Sequence, residues 1–170
     1  MGARTGTGRA AAGRDGFTVA ELLTVIVLVS TLVVAAMPML ASNLNSLRAT
    51  ALAREIATDI RYAQSLAVKT GSQYCVTFWE ADQAYAVRVW AGGDWQVCSH
   101  PVTKKPWKVY LSPGTRYAGL SFTAAQFGTN SYVVFDKYGS PDNGGAVTFT
   151  LGPTTRTVLV AALSGRVTVQ

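Results

Sequence analysis

The chain has 170 residues, of which 49% are hydrophobic and 14% are charged, and its formal net charge at pH 7 is +6. The apolar content excludes an intrinsically disordered chain, and the presence of only two cysteines excludes a small disulfide-rich protein. The apolar residues are concentrated, since residues 22–47 carry no charge. This distribution excludes a polytopic membrane protein and predicts one membrane segment followed by one globular domain.

Residues 1–16 are rich in Gly, Ala, Thr and Arg and show no apolar periodicity, so they predict a leader without a packed element. Residues 17–40 form an apolar segment that extends about 36 Å as a helix, enough to cross a bilayer of about 30 Å. The basic leader predicts a cytoplasmic N-terminus, which leaves the following domain across the membrane. A secretory signal peptide has a similar plan and would be cut after small residues such as Ala35 and Ala36.

One carboxylate, Glu21, lies inside the apolar segment. A charge in lipid is costly, and such a residue is a functional candidate by default. Glu21 also argues against a signal peptide. The alternative interpretation places Glu21 at the membrane interface near the helix start, where a negative charge suits the helix dipole.

Residues 41–71 predict an amphipathic stem helix that ends near Gly71, with Lys69 in its last turn. Apolar residues recur at steps of three to five between charged residues, which predicts one buried stripe. The stripe consists of Leu44, Leu47, Leu52, Ile56, Ile60, Ala63 and Ala67. It predicts that this part of the helix packs on the globular domain.

Residues 72–170, the head, show β-strand patterns separated by turn-forming residues. The candidate strands are 73–80, 84–90, 132–136, 146–151, 157–162 and 166–169, with weaker signals at 95–98 and 117–122. The connection 99–114 contains three prolines and is the least regular part. Together these elements predict an α+β fold, in which a long N-terminal stem helix packs on a C-terminal antiparallel β-sheet head.

The segment Gly16-Phe17-Thr18-Val19-Ala20-Glu21-Leu22-Leu23 resembles the prepilin signature of type IV pilins and type II secretion pseudopilins. That signature combines a basic leader, a glycine, an aromatic first mature residue and a glutamate at the fifth mature position. The resemblance implies cleavage between Gly16 and Phe17 by a prepilin peptidase, and N-methylation of Phe17. It also implies that Phe17, Glu21 and Pro38 direct assembly, with Glu21 meeting the free amine at Phe17 of a neighbouring subunit.

Segments further along the chain resemble the GspH/FimT family, which covers the minor pseudopilin H of type II secretion and the FimT minor pilins. These segments are 59–67, 74–78, 134–139 and 163–167. The resemblance implies a subunit of a type II secretion pseudopilus, anchored in the bacterial inner membrane by one helix with its head in the periplasm. Its implied partners are other pilins or pseudopilins, the prepilin peptidase and the inner membrane. Two alternatives stay open: a minor pilin of a type IV pilus that binds DNA for uptake, and a soluble exported protein.

Cys75 and Cys98 predict a disulfide if the head lies outside the cytoplasm, and two buried free thiols are the alternative. A metal site is not predicted, because two cysteines and the single His100 do not form a standard zinc set. The sequence contains no motif of a hydrolase, a phosphate-binding loop or a zinc protease. It therefore predicts neither an enzyme nor a cofactor.

Some FimT-type pilins resemble DNA-uptake receptors and carry a Gly-Arg-x-Arg motif near the C-terminus. The segment Gly165-Arg166-Val167-Thr168 keeps the first arginine and has threonine in place of the second. A separate basic cluster, Lys104, Lys105 and Lys108, lies beside aromatic residues, an arrangement that suits nucleic acid. These four cations are the candidate DNA-binding residues, and a solubilising surface is the alternative interpretation.

Overall fold

The computed structural model describes residues 17–111 and 117–170, apart from the side chains of Pro38, Leu40, Ala41 and Ser42. The predicted leader 1–16, with Gly16, therefore lies outside the described residues. The chain divides between Met39 and Leu40 into two compact units.

The helix α1, Val19–Thr70, contributes to both units. In the N-terminal unit, the segment Val19–Met37 has a mean hydropathy of 2.5, and none of it is buried. By length and composition it is the one helical segment of the described chain that could cross a membrane. The helix begins where the Thr18 hydroxyl accepts a hydrogen bond from the Glu21 amide at 3.2 Å, a typical N-cap.

In the C-terminal unit, α1 buries one stripe of mostly small residues. The stripe consists of Ala49, Leu52, Ala53, Ile56, Ala57, Ile60, Ala63 and Ala67. The predicted stripe is thus correct from Leu52 onward but wrong for Leu44 and Leu47, which are 47% and 67% exposed. The alanines let the sheets approach the helix closely. Ala49, Ala53 and Ala57, which the predicted stripe does not include, therefore contribute to the contact. The helix ends at Gly71, whose φ is +68° and whose amide donates to the Ala67 carbonyl at 3.0 Å.

Nine strands follow α1. In chain order they are β1 (Tyr74–Trp79), β2 (Ala84–Ala91), β3 (Asp94–Val97), β4 (Lys108–Tyr110), β5 (Leu120–Phe127), β6 (Tyr132–Phe135), β7 (Gly145–Leu151), β8 (Thr154–Val160) and β9 (Val167–Val169). Sheet I has the order β3-β2-β1-β6, and β4 pairs with the first half of β2. Sheet II has the order β5-β7-β8-β9. Every pairing is antiparallel.

The core lies among α1 and the two sheets. Alternate residues of β7, Val147, Phe149 and Leu151, are buried, as expected for a sheet with one solvated face. Phe78 of sheet I joins the sheets, because its ring centroid lies 5.8 Å from that of Phe127 and 5.7 Å from that of Phe122, both in sheet II. The predicted α+β fold, with a stem helix packed on antiparallel sheets, is confirmed.

Three strand predictions need correction. β8 begins three residues earlier and ends two residues earlier than the predicted strand 157–162. β4 lies inside the connection 99–114, where the prolines argue against a strand. β5 begins three residues later than the predicted strand 117–122 and extends to Phe127. Its register shifts between Phe122 and Ala124, so the buried positions change parity along the strand and no single period of two describes it.

Candidate functional site

Three of the segments that the sequence singles out meet at one stem side chain, Gln64. Its Nε2 donates to the carbonyl oxygen of Gly139 at 2.8 Å and to that of Ser164 at 3.4 Å. One loop follows β6 and the other precedes β9, so this amide fastens a loop from each sheet to α1. We call this arrangement the Gln64 junction.

The loop after β6 is shaped by its own aspartate. One Asp136 carboxylate oxygen accepts hydrogen bonds from the amides of Tyr138 at 2.9 Å and Ser140 at 2.8 Å. This turn presents Gly139 at a φ of +80°, a conformation that favours glycine. The Gly139 carbonyl is thereby held where Gln64 can reach it.

In the loop before β9, a side chain at Gly165 would fit only if the Gln64 amide moved away. The φ of Gly165 is +62°, and a Cβ there would lie 2.5 Å from Gln64 Nε2 and 3.3 Å from the Gly139 carbonyl oxygen. Gly165 therefore combines a backbone conformation that disfavours side chains with a close approach to the helix. The glycine of the Gly165-Arg166 pair is explained by packing at the Gln64 junction.

We expect Gly165→Ala to lower the free energy of unfolding by about 2–3 kcal/mol, because positive φ and steric overlap act together. Gly71→Ala is the matched control, since its φ is +68° and a Cβ there meets nothing within 4 Å. The control should lose only about 1 kcal/mol. Urea unfolding of the detergent-solubilised chain, followed by tryptophan fluorescence, measures both. Equal losses in the two variants would contradict the packing argument.

A groove of about 780 Å³ lies beside the Gln64 junction, between α1 and β9. Arg54 and Arg61 are seven residues apart and so project from the same side of the helix, while Arg166 comes from the loop. Arg61 Nη2 donates to the Val167 carbonyl at 2.7 Å. No carboxylate is present among the described lining residues, so the groove is positively charged. We call it the arginine groove.

The four candidate DNA-binding residues do not form one surface. Arg166 lines the arginine groove, whereas Lys105 and Lys108 line a different depression, between the other flank of α1 and the segment around His100. The Lys108 ammonium lies 4.9 Å from the ring centroids of both Trp79 and Tyr110 on the outer face of sheet I. Lys104 is exposed, with a φ of +57°.

Sequence reasoning missed a buried carboxylate, Asp59, which lies between α1 and sheet I. Asp59 Oδ2 accepts hydrogen bonds from the Tyr85 hydroxyl at 2.7 Å and from Trp107 Nε1 at 3.2 Å. Burial raises the pKa of Asp59, and the nearby Glu55 adds to this, while the two hydrogen bonds and His100 act in the opposite direction. The helical spacing could have indicated this burial, because Asp59 lies three residues after Ile56 and four before Ala63, next to the buried stripe.

The predicted disulfide between Cys75 and Cys98 is not formed, and both thiols are free. Cys75 pairs with Arg88 of β2, whereas Cys98 follows β3 and its amide donates to the Val87 carbonyl of β2 at 2.9 Å. An intervening strand separates the two cysteines by about 10 Å, more than the roughly 7 Å that a disulfide tolerates.

The cysteines also point to opposite faces of sheet I, since Cys98 packs against the core and Cys75 alternates with the core residue Val76. The alternative interpretation of two buried free thiols is therefore correct for Cys75, whereas Cys98 is free but only half-buried. Among the described residues, no three His, Cys, Asp or Glu side chains gather as ligands for a metal ion.

The predicted assembly residues belong to the N-terminal unit. Phe17 precedes α1 and is 77% exposed. Glu21 is exposed in the first turn, a position that suits its charge and leaves the carboxylate accessible. The side chain of Pro38 lies outside the described residues, and the assembly roles of all three residues stay predictions.

Structural comparison places the fold among pilin-like proteins. The minor pseudopilin EpsH from the type 2 secretion system of Vibrio cholerae has a TM-score of 0.56 and 11% identity, covering 72% of this chain and 94% of that chain. A second EpsH crystal structure has a TM-score of 0.57 and 10% identity, covering 74% of this chain and 97% of that chain. The type IV minor pilin FimU of Pseudomonas aeruginosa has a TM-score of 0.51 and 16% identity, covering 72% of this chain and 87% of that chain. At these identities the likeness concerns the fold alone.

Sequence comparison identifies the family. Comparison with curated proteins gives no match. The family model described as type II transport protein GspH matches residues 52–165, which include the buried part of the stem and most of the head. GspH-like pseudopilins are structural subunits, so the prediction that the chain is not an enzyme is confirmed. Because the match covers more than half of the chain, and the fold agrees with it, this protein belongs to the GspH family of pilin-like proteins.

Proposed function

We propose that this protein is a minor subunit of a type II secretion pseudopilus, processed by a prepilin peptidase and assembled through its N-terminal helix. The observation that carries the proposal is the apolar segment Val19–Met37, none of which is buried, joined to a head of the GspH family. Such a surface needs lipid or other apolar helices to cover it, and a filament of packed stems provides the second. The proposed location before assembly is the inner membrane, with the head in the periplasm.

Within this proposal, Glu21 selects the register of assembly. Its carboxylate would pair with the amine of Phe17 on a neighbouring subunit, and opposite charges in a dry helical bundle favour one alignment strongly. The exposed position of Glu21 in the first turn supports this role. Pro38 would loosen the helix near the end of the apolar segment by removing one backbone donor.

The mature N-terminus tests the pathway. We expect mass spectrometry of the chain, coproduced with a prepilin peptidase, to give a product that begins at Phe17 and carries one added methyl group. Gly16→Leu should leave the leader uncleaved, because the peptidase would no longer find a small residue before the cut. A product that begins near Met37 in both proteins would instead indicate an ordinary exported domain.

The alternative function, capture of DNA by a minor pilin of a type IV pilus, has less support. The candidate cations are divided between the arginine groove and the depression around His100, so they offer no continuous track for a phosphate backbone. Arg54 and Arg61 do add charge beside Arg166, where Thr168 replaces the second arginine of the motif. The arginine groove is therefore the place where DNA binding would have to be sought.

A further inference from the structure

The arginine groove contains the free edge of sheet II. Hydrogen bonds to β8 use the main chain of Arg166 and Gln170: the Ala161 amide donates to the Arg166 carbonyl at 3.0 Å, and Gln170 exchanges two bonds with Thr157. Pairing alternates along an antiparallel strand, so the main-chain groups of Val167 and Val169 point away from β8 and into the groove.

Most of this edge has no partner. Of the four outward groups on Val167 and Val169, the Val167 carbonyl is the one that is bonded within the described chain, by Arg61. Open edges of this kind serve as templates for another strand, and proteins commonly shield them with a charged side chain. Arg61 shields one end, and the amides of both valines and the Val169 carbonyl stay available.

The charge around the edge indicates the chemistry of the partner. The Arg54 and Arg166 side chains are exposed, and neither guanidinium pairs with a carboxylate of the described residues. Guanidinium groups bind carboxylates through two parallel hydrogen bonds. An extended peptide presents alternate side chains to one side, so carboxylates two residues apart could reach successive arginines while the main chain pairs with β9.

We propose that the arginine groove binds an extended acidic segment of a partner protein, which adds to β9 as a further strand and pairs its carboxylates with Arg54, Arg61 and Arg166. A peptide supplies both donors and acceptors to the open edge. A nucleic-acid backbone supplies only phosphate acceptors to the two amides and leaves the Val169 carbonyl unpaired. The inference goes beyond the proposed function and holds for either filament system.

Fluorescence anisotropy with a labelled peptide of four Thr-Glu repeats tests this inference on the full chain in a non-ionic detergent. A second peptide has the same sequence and charge, but its alternate amides are N-methylated so that it cannot pair with a strand edge. Labelled single-stranded and duplex DNA serve as competing ligands. The protein variants are Arg54→Ala/Arg166→Ala and, as a matched loss of exposed charge outside the groove, Arg48→Ala/Lys137→Ala.

We expect the Thr-Glu peptide to bind, and the Arg54→Ala/Arg166→Ala variant to weaken it at least about tenfold while the control pair changes it less than about twofold. N-methylation should weaken binding by a similar factor. Equal affinity for the N-methylated peptide would overturn strand addition. Absence of peptide binding, or groove-dependent binding of DNA alone, would overturn the proposal. Each variant should fold normally, since the substituted side chains are exposed. Tryptophan fluorescence checks this for every variant.

Discussion

Glu21→Ala is expected to remove this subunit from filaments while leaving it in the membrane. The change deletes one partner of the proposed ion pair with Phe17 of the next subunit and leaves a buried amine unpaired. Breaking a buried pair in this way costs about 3–5 kcal/mol. That cost corresponds to roughly a 10²–10⁴-fold smaller equilibrium constant for assembly. The apolar segment is unchanged, so membrane insertion should persist.

Immunoblots of sheared filaments and of membranes, from cells that carry the matching major subunit, measure the two fractions. Ser30→Ala is the matched control, because the Ser30 hydroxyl donates to the Ile26 carbonyl of its own helix at 2.7 Å. It should assemble normally. If the Glu21→Ala protein enters filaments as well as this control, Glu21 has no role in assembly, and the carboxylate serves only the start of α1.

Asp59→Ala is expected to give the largest loss of stability in the head, about 2–6 kcal/mol. The substitution leaves the Tyr85 hydroxyl and Trp107 Nε1 without their shared acceptor, and each stranded polar group costs about 1–3 kcal/mol. Asp59→Asn keeps an acceptor oxygen and should stay within about 1 kcal/mol of the wild type at pH 7. Urea unfolding of the full chain followed by fluorescence suits this test, since all four tryptophans, Trp79, Trp90, Trp95 and Trp107, lie in the C-terminal unit.

The same two variants distinguish hydrogen bonding from charge. Burial raises the pKa of Asp59 above its unfolded value, so between these two values the folded state holds more of the proton. The part of the stability that comes from this bound proton is therefore complete at pH values below the unfolded pKa and is lost as pH rises through the folded pKa. Asp59→Asn should lack this pH-dependent component. If the free energy of unfolding changes with pH by the same slope in the wild type and in Asp59→Asn, the pH dependence of stability comes from other groups.

The sequence predicted the elements whose patterns are local. The stem stripe from Leu52 to Ala67 follows the helical period, and β7 follows the alternation of a half-buried strand. The end of α1 at Gly71 follows from a single glycine. Prediction failed where a local irregularity breaks the period, as at the bulge after Phe122, or where prolines surround a short strand such as β4.

The candidate site could not be read in the same way, because its parts are distant in sequence. Gln64 gathers loops that lie 75 and 100 residues further along the chain, and no local pattern indicates that they meet. Arg166 was found through its motif. No local pattern distinguishes Arg54 and Arg61 from the other charges of the stem helix, since their place in the groove depends on β9 lying beside them. The prediction of a disulfide was wrong for a related reason, because the sequence positions of Cys75 and Cys98 do not show that β2 lies between them.

Because the thiols of Cys75 and Cys98 are free, the head is stabilised without a covalent crosslink. With β2 between Cys75 and Cys98, no covalent link ties β1 to β3, and the sheet is held by its hydrogen bonds and its buried side chains. Burial raises the pKa of Cys98 to about 11, so the reactive thiolate is scarce at neutral pH while the sheet is intact. A head held together in this way needs no disulfide bond, and therefore no disulfide isomerase, to keep its folded form.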